Sequence, residues 1–442
     1  MLDLNPFLTA YDPSDLPGTS VDPLGFERGY LFLADKILPG LTNVASRPRY
    51  FSLLCAALKL AEEAATDAAP PKLRRQQRLE VTQRLERFWA LACVLATAAD
   101  GALDATGIRG WRYVNAARRR LEERGATSTK ADYRLLSRQA TYGMLGAYGA
   151  TGDGLRLLDR GELVLSPDLG RRLADAFLTE TELPAALRKA VREGGEVSLD
   201  LLAKWGRRAH LAVRPGVGEA TVLNEALEAN DVRRRMVRLL RAHPPREGES
   251  ELSRFERIRD AADDVADGAD LREALTAISA FEHCYRLSLL AFHRLLWFCQ
   301  QDPLGKPLEG AAADGVIERV HAELPGAMVR LRAAVDGART LAFREDLARL
   351  DDVLLFLAAA ESAASADRLL VALLARHRAV QQGKLHRGRP KMPWIELAEG
   401  WIKPTLSAAQ WVPAEPEDLQ SIVAHPYRSW GADRFTPPGG AA

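Results

Sequence analysis

RYFSLLCAALKLAEEAA, residues 49–65, is the stretch that decides the fold class. Phe51, Leu54, Cys55 and Leu58 fall at i, i+3, i+4 and i+7, which lays an apolar stripe along one face of an α-helix. Ala69-Pro70-Pro71 stops the run, because consecutive prolines cannot continue the hydrogen-bond ladder. The same period returns on either side of this stop. It predicts a helix over 72–99, another over 109–124 that places Trp111, Val114 and Leu121 along one side, and long helical segments over 222–242, 251–300 and 313–380. The chain reads as mainly α and multi-helical.

One region departs from that period. After YGMLGAYGATGDG, the tetrapeptide Glu162-Leu163-Val164-Leu165 is a short strand candidate, and Ser166-Pro167-Asp168 supplies a cap and a proline for the helix LGRRLADAFL. Helix, glycine-rich turn, short strand and helix is the order found at the end of a winged-helix module. Together with 128–150 it predicts such a module over about 126–180. The final sixty residues differ again. They hold Trp394, Trp401, Trp411 and Trp430, half the tryptophans of the chain, among Pro390, Pro393, Pro404, Pro413, Pro416 and Pro426, and are expected to lie ordered as irregular chain with short helices. Four regions follow: 1–125 helical, 126–205 winged-helix-like, 206–382 helical, and 383–442 a basic, Trp-rich docking segment.

The 442 residues carry 60 basic and 59 acidic side chains, for a formal charge of +1, with 47% hydrophobic and 27% charged residues. That composition excludes a disordered chain, a collagen-like repeat and a bare polybasic binder. Cys55, Cys93, Cys284 and Cys299 form no C-x-x-C pair and read as small buried hydrophobes. No signal-peptide pattern opens the sequence and no stretch approaches 18 uncharged apolar residues, so a cytoplasmic protein without a membrane partner is expected.

Charge is distributed unevenly. From Arg368 to Lys391 the chain carries Arg368, Arg376, Arg378, Lys384, Arg387, Arg389 and Lys391 without one acidic residue, an anion-binding candidate. Within it, His386-Arg387-Gly388-Arg389-Pro390-Lys391 holds the R-G-R-P core of a minor-groove hook. The Met392-Pro393-Trp394 that follows favours a basic turn held by a folded segment. Phosphate contact, a solvated helix end and a protein partner all remain open for this run. Arg47 and Arg49 flank Pro48 at a helix start, where they would hold a phosphate or pair with carboxylates such as Asp35 or Glu27. Arg134 and Arg138 are further phosphate-contact candidates.

Catalytic and cofactor motifs are not found: no P-loop, no H-E-x-x-H and no metal-ligand histidine spacing. Glu282, Arg286 and His293 share one face of a helix, a line that reads as a buried pairing or a salt-bridged face before it reads as proton-transfer chemistry. Asp263, Asp264, Asp267 and Asp270 fit a solvated face better than a metal site. His425-Pro426-Tyr427-Arg428 is expected to dock the C-terminal segment by aromatic burial with Arg-carboxylate pairs.

The phrase built on Pro39, Gly40, Thr42, Arg47, Arg49, Tyr50 and Phe51, with Lys384 and Pro393-Trp394-Ile395, resembles a group of poorly characterised bacterial proteins associated with phage-defence islands. The resemblance implies a context of antiviral defence or DNA transactions and no particular reaction. The combined expectation is a non-enzymatic accessory subunit that binds nucleic acid, DNA first, beside other protein subunits. A helical adaptor without nucleic acid and a metal-dependent nuclease are the alternatives.

Overall fold

A computed structural model describes residues 22–65, 70–101, 103–104, 106–262, 268–302, 304–336, 348–386, 388–405 and 414–435. Its elements are overwhelmingly helices, so the chain is mainly α. It divides into two compact units, each discontinuous in sequence. The first comprises residues up to Leu38 together with Arg238–Tyr427, and the second Pro39–Val237 together with the stretch from Arg428 onward. Residues 126–205 therefore lie inside the second unit.

The second unit is built around the helix Pro48–Ala64, with a proline in its first turn where the missing N–H costs nothing. Its neighbours are Pro71–Ala99, Met144–Gly154, Leu169–Glu180 and Ala185–Glu193. Because they surround it, burial is not confined to a stripe: every residue from Arg49 to Leu58 is buried. The apolar period had marked one face; the alanines, Ser52 and Cys55 that complete the turn are small enough for close helix packing on the others. Tyr50 lies between Trp89 and Tyr148 at ring-centroid distances of 5.0 and 4.6 Å, and Phe51 meets Tyr148 and Phe435.

Val164–Leu165 is a strand, paired antiparallel with Leu158–Asp159. Ser166 Oγ accepts the Gly170 N–H at 2.8 Å in the first turn of the following helix, whose N-cap position, Asp168, makes no side-chain cap bond. Ser128–Thr129 pairs with Val197–Ser198, not with this hairpin, so the hairpin is two-stranded. The helix expected over 222–242 is broken into Val217–Glu228 and Asp231–Ala242, because Asn230 Oδ1 accepts the Arg233 N–H at 3.0 Å and restarts the chain.

The first unit is organised on the 33-residue helix Ala269–Gln301, flanked by Glu251–Asp260, Gly315–Asp336 and Glu27–Ile37. The closing segment is more regular than its composition predicts. Leu385–His386 pairs with Arg389–Pro390 as a hairpin, and Ile395–Ala398, Trp401–Pro404 and Lys306–Pro307 make a three-stranded antiparallel sheet. Trp394 is buried while Trp401 is 41% exposed; Trp411 lies outside the described residues. Among the described residues no helix is long and apolar enough to cross a membrane. All four cysteines are buried, and burial pushes the thiols of Cys93, Cys284 and Cys299 up to about 12.

Candidate nucleic-acid interface

The helix Trp111–Glu123 opens on Gly110, whose φ of +74° turns the chain over the carbonyl of Leu135. A Cβ at Gly110 would stand 2.4 Å from that oxygen, so only glycine lets the two segments touch. Arg109 fixes the approach. Its N–H donates to the Tyr50 hydroxyl at 2.8 Å and its guanidinium to the Tyr142 carbonyl.

Residues 131–144 are tied to the helix Pro71–Ala99 from below. Arg87 Nε donates to Gln139 Oε1 at 2.9 Å, Gln139 donates to Glu86 at 2.7 Å, and Glu86 accepts the Met144 N–H at 2.6 Å. Burial raises the Glu86 pKa, while these bonds and the nearby Arg109 and Arg87 oppose the rise. Tyr133 is drawn inward by a bond from its hydroxyl to the Arg87 carbonyl. With Gln139 and Tyr133 facing in, Arg134 and Arg138 are left exposed.

Only Val114 and Ala117 of the helix Trp111–Glu123 are buried. Arg112 and Arg119, seven residues apart and therefore on one face, are exposed, as is Arg124 just beyond the end. Trp111 is 39% and Tyr113 45% exposed, in the same turn as Arg112. The side chains of Arg119, Arg124, Arg134 and Arg138 make no hydrogen bond or ion pair among the described residues. By contrast Arg171, Arg172, Arg188 and Arg208 of the same unit each face a carboxylate. From Arg109 to Arg138 the sequence holds nine basic residues and three acidic ones. Two residues past Arg138, Ala140 lines a cleft of about 120 Å³ with Arg75, Leu79, Leu145, Arg160 and Leu163.

The other sites expected from sequence fall elsewhere. Arg49 is buried, paired with Glu219 at 2.7 Å, bonded to the Arg208 carbonyl at 2.6 Å and laid over the Phe177 ring. It pairs with neither Asp35 nor Glu27, and its guanidinium is closed to an external phosphate. Arg47 is half-buried against Gly107. The rest of the N-terminal phrase is a packing hub. Gly40, at φ +77°, meets Gly154 backbone to backbone, Thr42 bonds Thr151 at 2.9 Å, and the Pro39 carbonyl accepts from buried Arg233 at 2.7 Å.

Much of the acid-free run serves its own unit. Arg376 Nε donates to the Leu24 carbonyl at 2.7 Å and Lys384 Nζ to that of Asp22 at 2.6 Å, while Arg378 faces Glu396 at 3.3 Å. Arg389 is exposed and Lys391 half-buried on the hairpin, where burial lowers the Lys391 pKa. Gly388, at φ +78°, makes the turn. Arg387 and the side chain of His386 lie outside the described residues.

The polar line of the long helix holds the closing segment. Glu282, fully buried, accepts from His425 Nδ1 at 2.6 Å and from the Tyr427 hydroxyl at 2.7 Å, and Arg286 donates to the Leu419 carbonyl. His425 stacks on Tyr30 at 4.4 Å. The docking expected of this segment is thus carried by a carboxylate with a histidine and a tyrosine, and also by arginines of its own unit: Arg294 pairs with Glu415, and Arg319 donates to the Glu417 carbonyl. Among the described residues no three His, Cys, Asp or Glu side chains are grouped to hold a metal; Asp263, Asp264 and Asp267 lie outside them.

The exposure of Trp111 and Tyr113 was missed in the sequence reading, which placed Trp111 with Val114 and Leu121. The available signal was the flanking of both aromatics by arginines in W-R-Y-V-N-A-A-R-R-R. Compared with protein-family models, curated proteins and solved structures, the chain finds no match in any of the three.

Proposed function

We propose that this chain is a nucleic-acid-binding component of a bacterial antiviral-defence or DNA-handling complex, working beside catalytic subunits, with its main interface on the second unit. The observation that carries the reading is the set Arg119, Arg124, Arg134 and Arg138: four exposed guanidiniums without a carboxylate partner among the described residues, in a stretch with three basic residues for each acidic one. Such a surface attracts a polyanion, and each phosphate it neutralises releases condensed counterions. The order of elements from Met144–Gly154 through the 158–165 hairpin to Leu169–Glu180 supports a winged-helix-like reading of this region, with exposed Arg160 at the wing. On the first unit, Arg389 and Lys391 offer a smaller basic projection. The bacterial context rests on the resemblance of the N-terminal phrase.

The test is the salt dependence of binding to DNA and RNA. Replacing Arg119, Arg124, Arg134 and Arg138 by alanine together is expected to flatten the slope of log K against log salt by about 3 to 4. Failure of the unaltered protein to bind any nucleic acid at about 50 mM salt refutes the reading.

A further inference from the structure

We infer that the interface of the second unit is built for a single strand, with Trp111 and Tyr113 as stacking surfaces for bases and Arg134 and Arg138 as phosphate contacts. The inference rests on the nucleic-acid reading above and narrows it. Two large aromatics 39% and 45% exposed, in the first turn of one helix, are an unusual use of apolar surface when the rest of the exposed face is arginine, glutamate and a single alanine. Trp111 and Tyr113 are two positions apart and hence point to opposite flanks of the helix, with Arg112 and Arg119 running between them. A strand crossing the start of the helix meets a ring on either side and guanidiniums along its path.

Duplex geometry does not use this arrangement. In a duplex the faces of the bases are covered by their neighbours, leaving only edges and phosphates to a protein, whereas an unpaired strand offers a π-face at every nucleotide. Rings beside arginines are the chemistry that holds such a strand without requiring one sequence. The Gly110–Leu135 contact supports the placement, since it sets the segment bearing Arg134 and Arg138 directly against the turn that begins the aromatic helix. That contact is rigid on both sides: residues 131–144 are held by Glu86 and Arg87, and the helix start by Arg109.

Binding of a fluorescent oligothymidylate and an oligouridylate, against a DNA duplex of equal length, separates the claims. Trp111→Ala with Tyr113→Ala is expected to weaken single-strand binding about 30-fold or more, with an unchanged melting temperature, and Trp111→Phe to keep most of the affinity. Arg134→Ala with Arg138→Ala is expected to weaken binding and reduce its salt slope. If the aromatic variant binds single strands as well as the unaltered protein while the arginine variant loses affinity, the single-strand inference falls and the nucleic-acid reading stands. Preference of the unaltered protein for the duplex has the same meaning. Absence of binding to every probe overturns both. The single variant Tyr113→Ser, at a 45% exposed position, supplies the measurement where the double variant folds poorly.

Discussion

Arg49 and Arg134 have the same side chain and opposite surroundings, and the surroundings set what each can do. Arg49 sits beside Glu219 with both side chains almost fully buried, at 4% and 0% exposed. Burial pushes the Glu219 carboxyl up and the Arg49 guanidinium down, while each partner's charge opposes the shift of the other. Removing one member leaves a buried charge alone, so Arg49→Ala is expected to cost the second unit about 3–5 kcal/mol in urea unfolding. Arg49→Met combined with Glu219→Leu should recover most of that, because two apolar side chains restore packing without a charge to desolvate. A double variant as unstable as the single one contradicts this account. The R-x-R pattern gave no means of telling Arg47 from Arg49. The partner that draws Arg49 inward is 170 residues away, a separation over which side-chain periodicity carries no information. Arg134 and Arg138 were legible as candidates because they stand in a short irregular stretch, but their exposure depends on Gln139 being drawn to Glu86.

Elements gave a more even account. Helices were legible wherever an apolar period met a proline or a side chain that accepts a first-turn N–H, as at Pro48, at Pro71 and at Ser166. The break at Asn230 and the strands of 385–404 were not, since a single side-chain cap and four-residue strands lie below the length at which a period declares itself. The line of Glu282, Arg286 and His293 was visible along its helix, but what it faced was not. Its Glu282 and Arg286 face residues 419–427, and Glu282 alone anchors both His425 and Tyr427. Glu282→Ala leaves the Tyr427 hydroxyl and a histidine nitrogen without their acceptor, at about 1–3 kcal/mol for each buried group. Faster amide hydrogen exchange and proteolysis over 419–427 are expected. Unchanged protection there would show that the rings of Tyr30 and Tyr285 suffice to hold His425.

At the scale of the molecule, His377 is one of the groups through which acidity acts on the first unit. This ring is fully buried, with Nδ1 at 2.9 Å from the Pro23 carbonyl and Nε2 accepting the Trp394 N–H at 2.8 Å, so it is neutral with the proton on Nδ1. Burial pushes its pKa down to about 4. The unfolded chain, titrating near about 6.5, binds more protons between those two values. Stability is therefore full above about pH 7 and falls as the pH drops through 6.5 toward 4, by an amount on the order of 3 kcal/mol for this group. A urea midpoint that falls between about pH 7 and pH 5, and falls less in His377→Gln, is the expected result; equal falls in the two proteins would assign the effect to His293 and His283, which burial also holds below the usual imidazole range. The net charge of +1 conceals a similar division of labour, since Arg376 and Lys384 of the run free of acids are spent on internal carbonyls while Arg119, Arg124, Arg134 and Arg138 stand exposed without a carboxylate partner among the described residues. Both units also join early to late parts of the chain. The Pro23 carbonyl waits 354 residues for His377, and the Asn43 side chain waits 385 residues for the Arg428 N–H. During synthesis the helices of 39–237 emerge long before Phe435 arrives beside Phe51. Neither unit closes until its late segment has been made, and until residues 377–435 have emerged the newborn chain carries two half-closed cores.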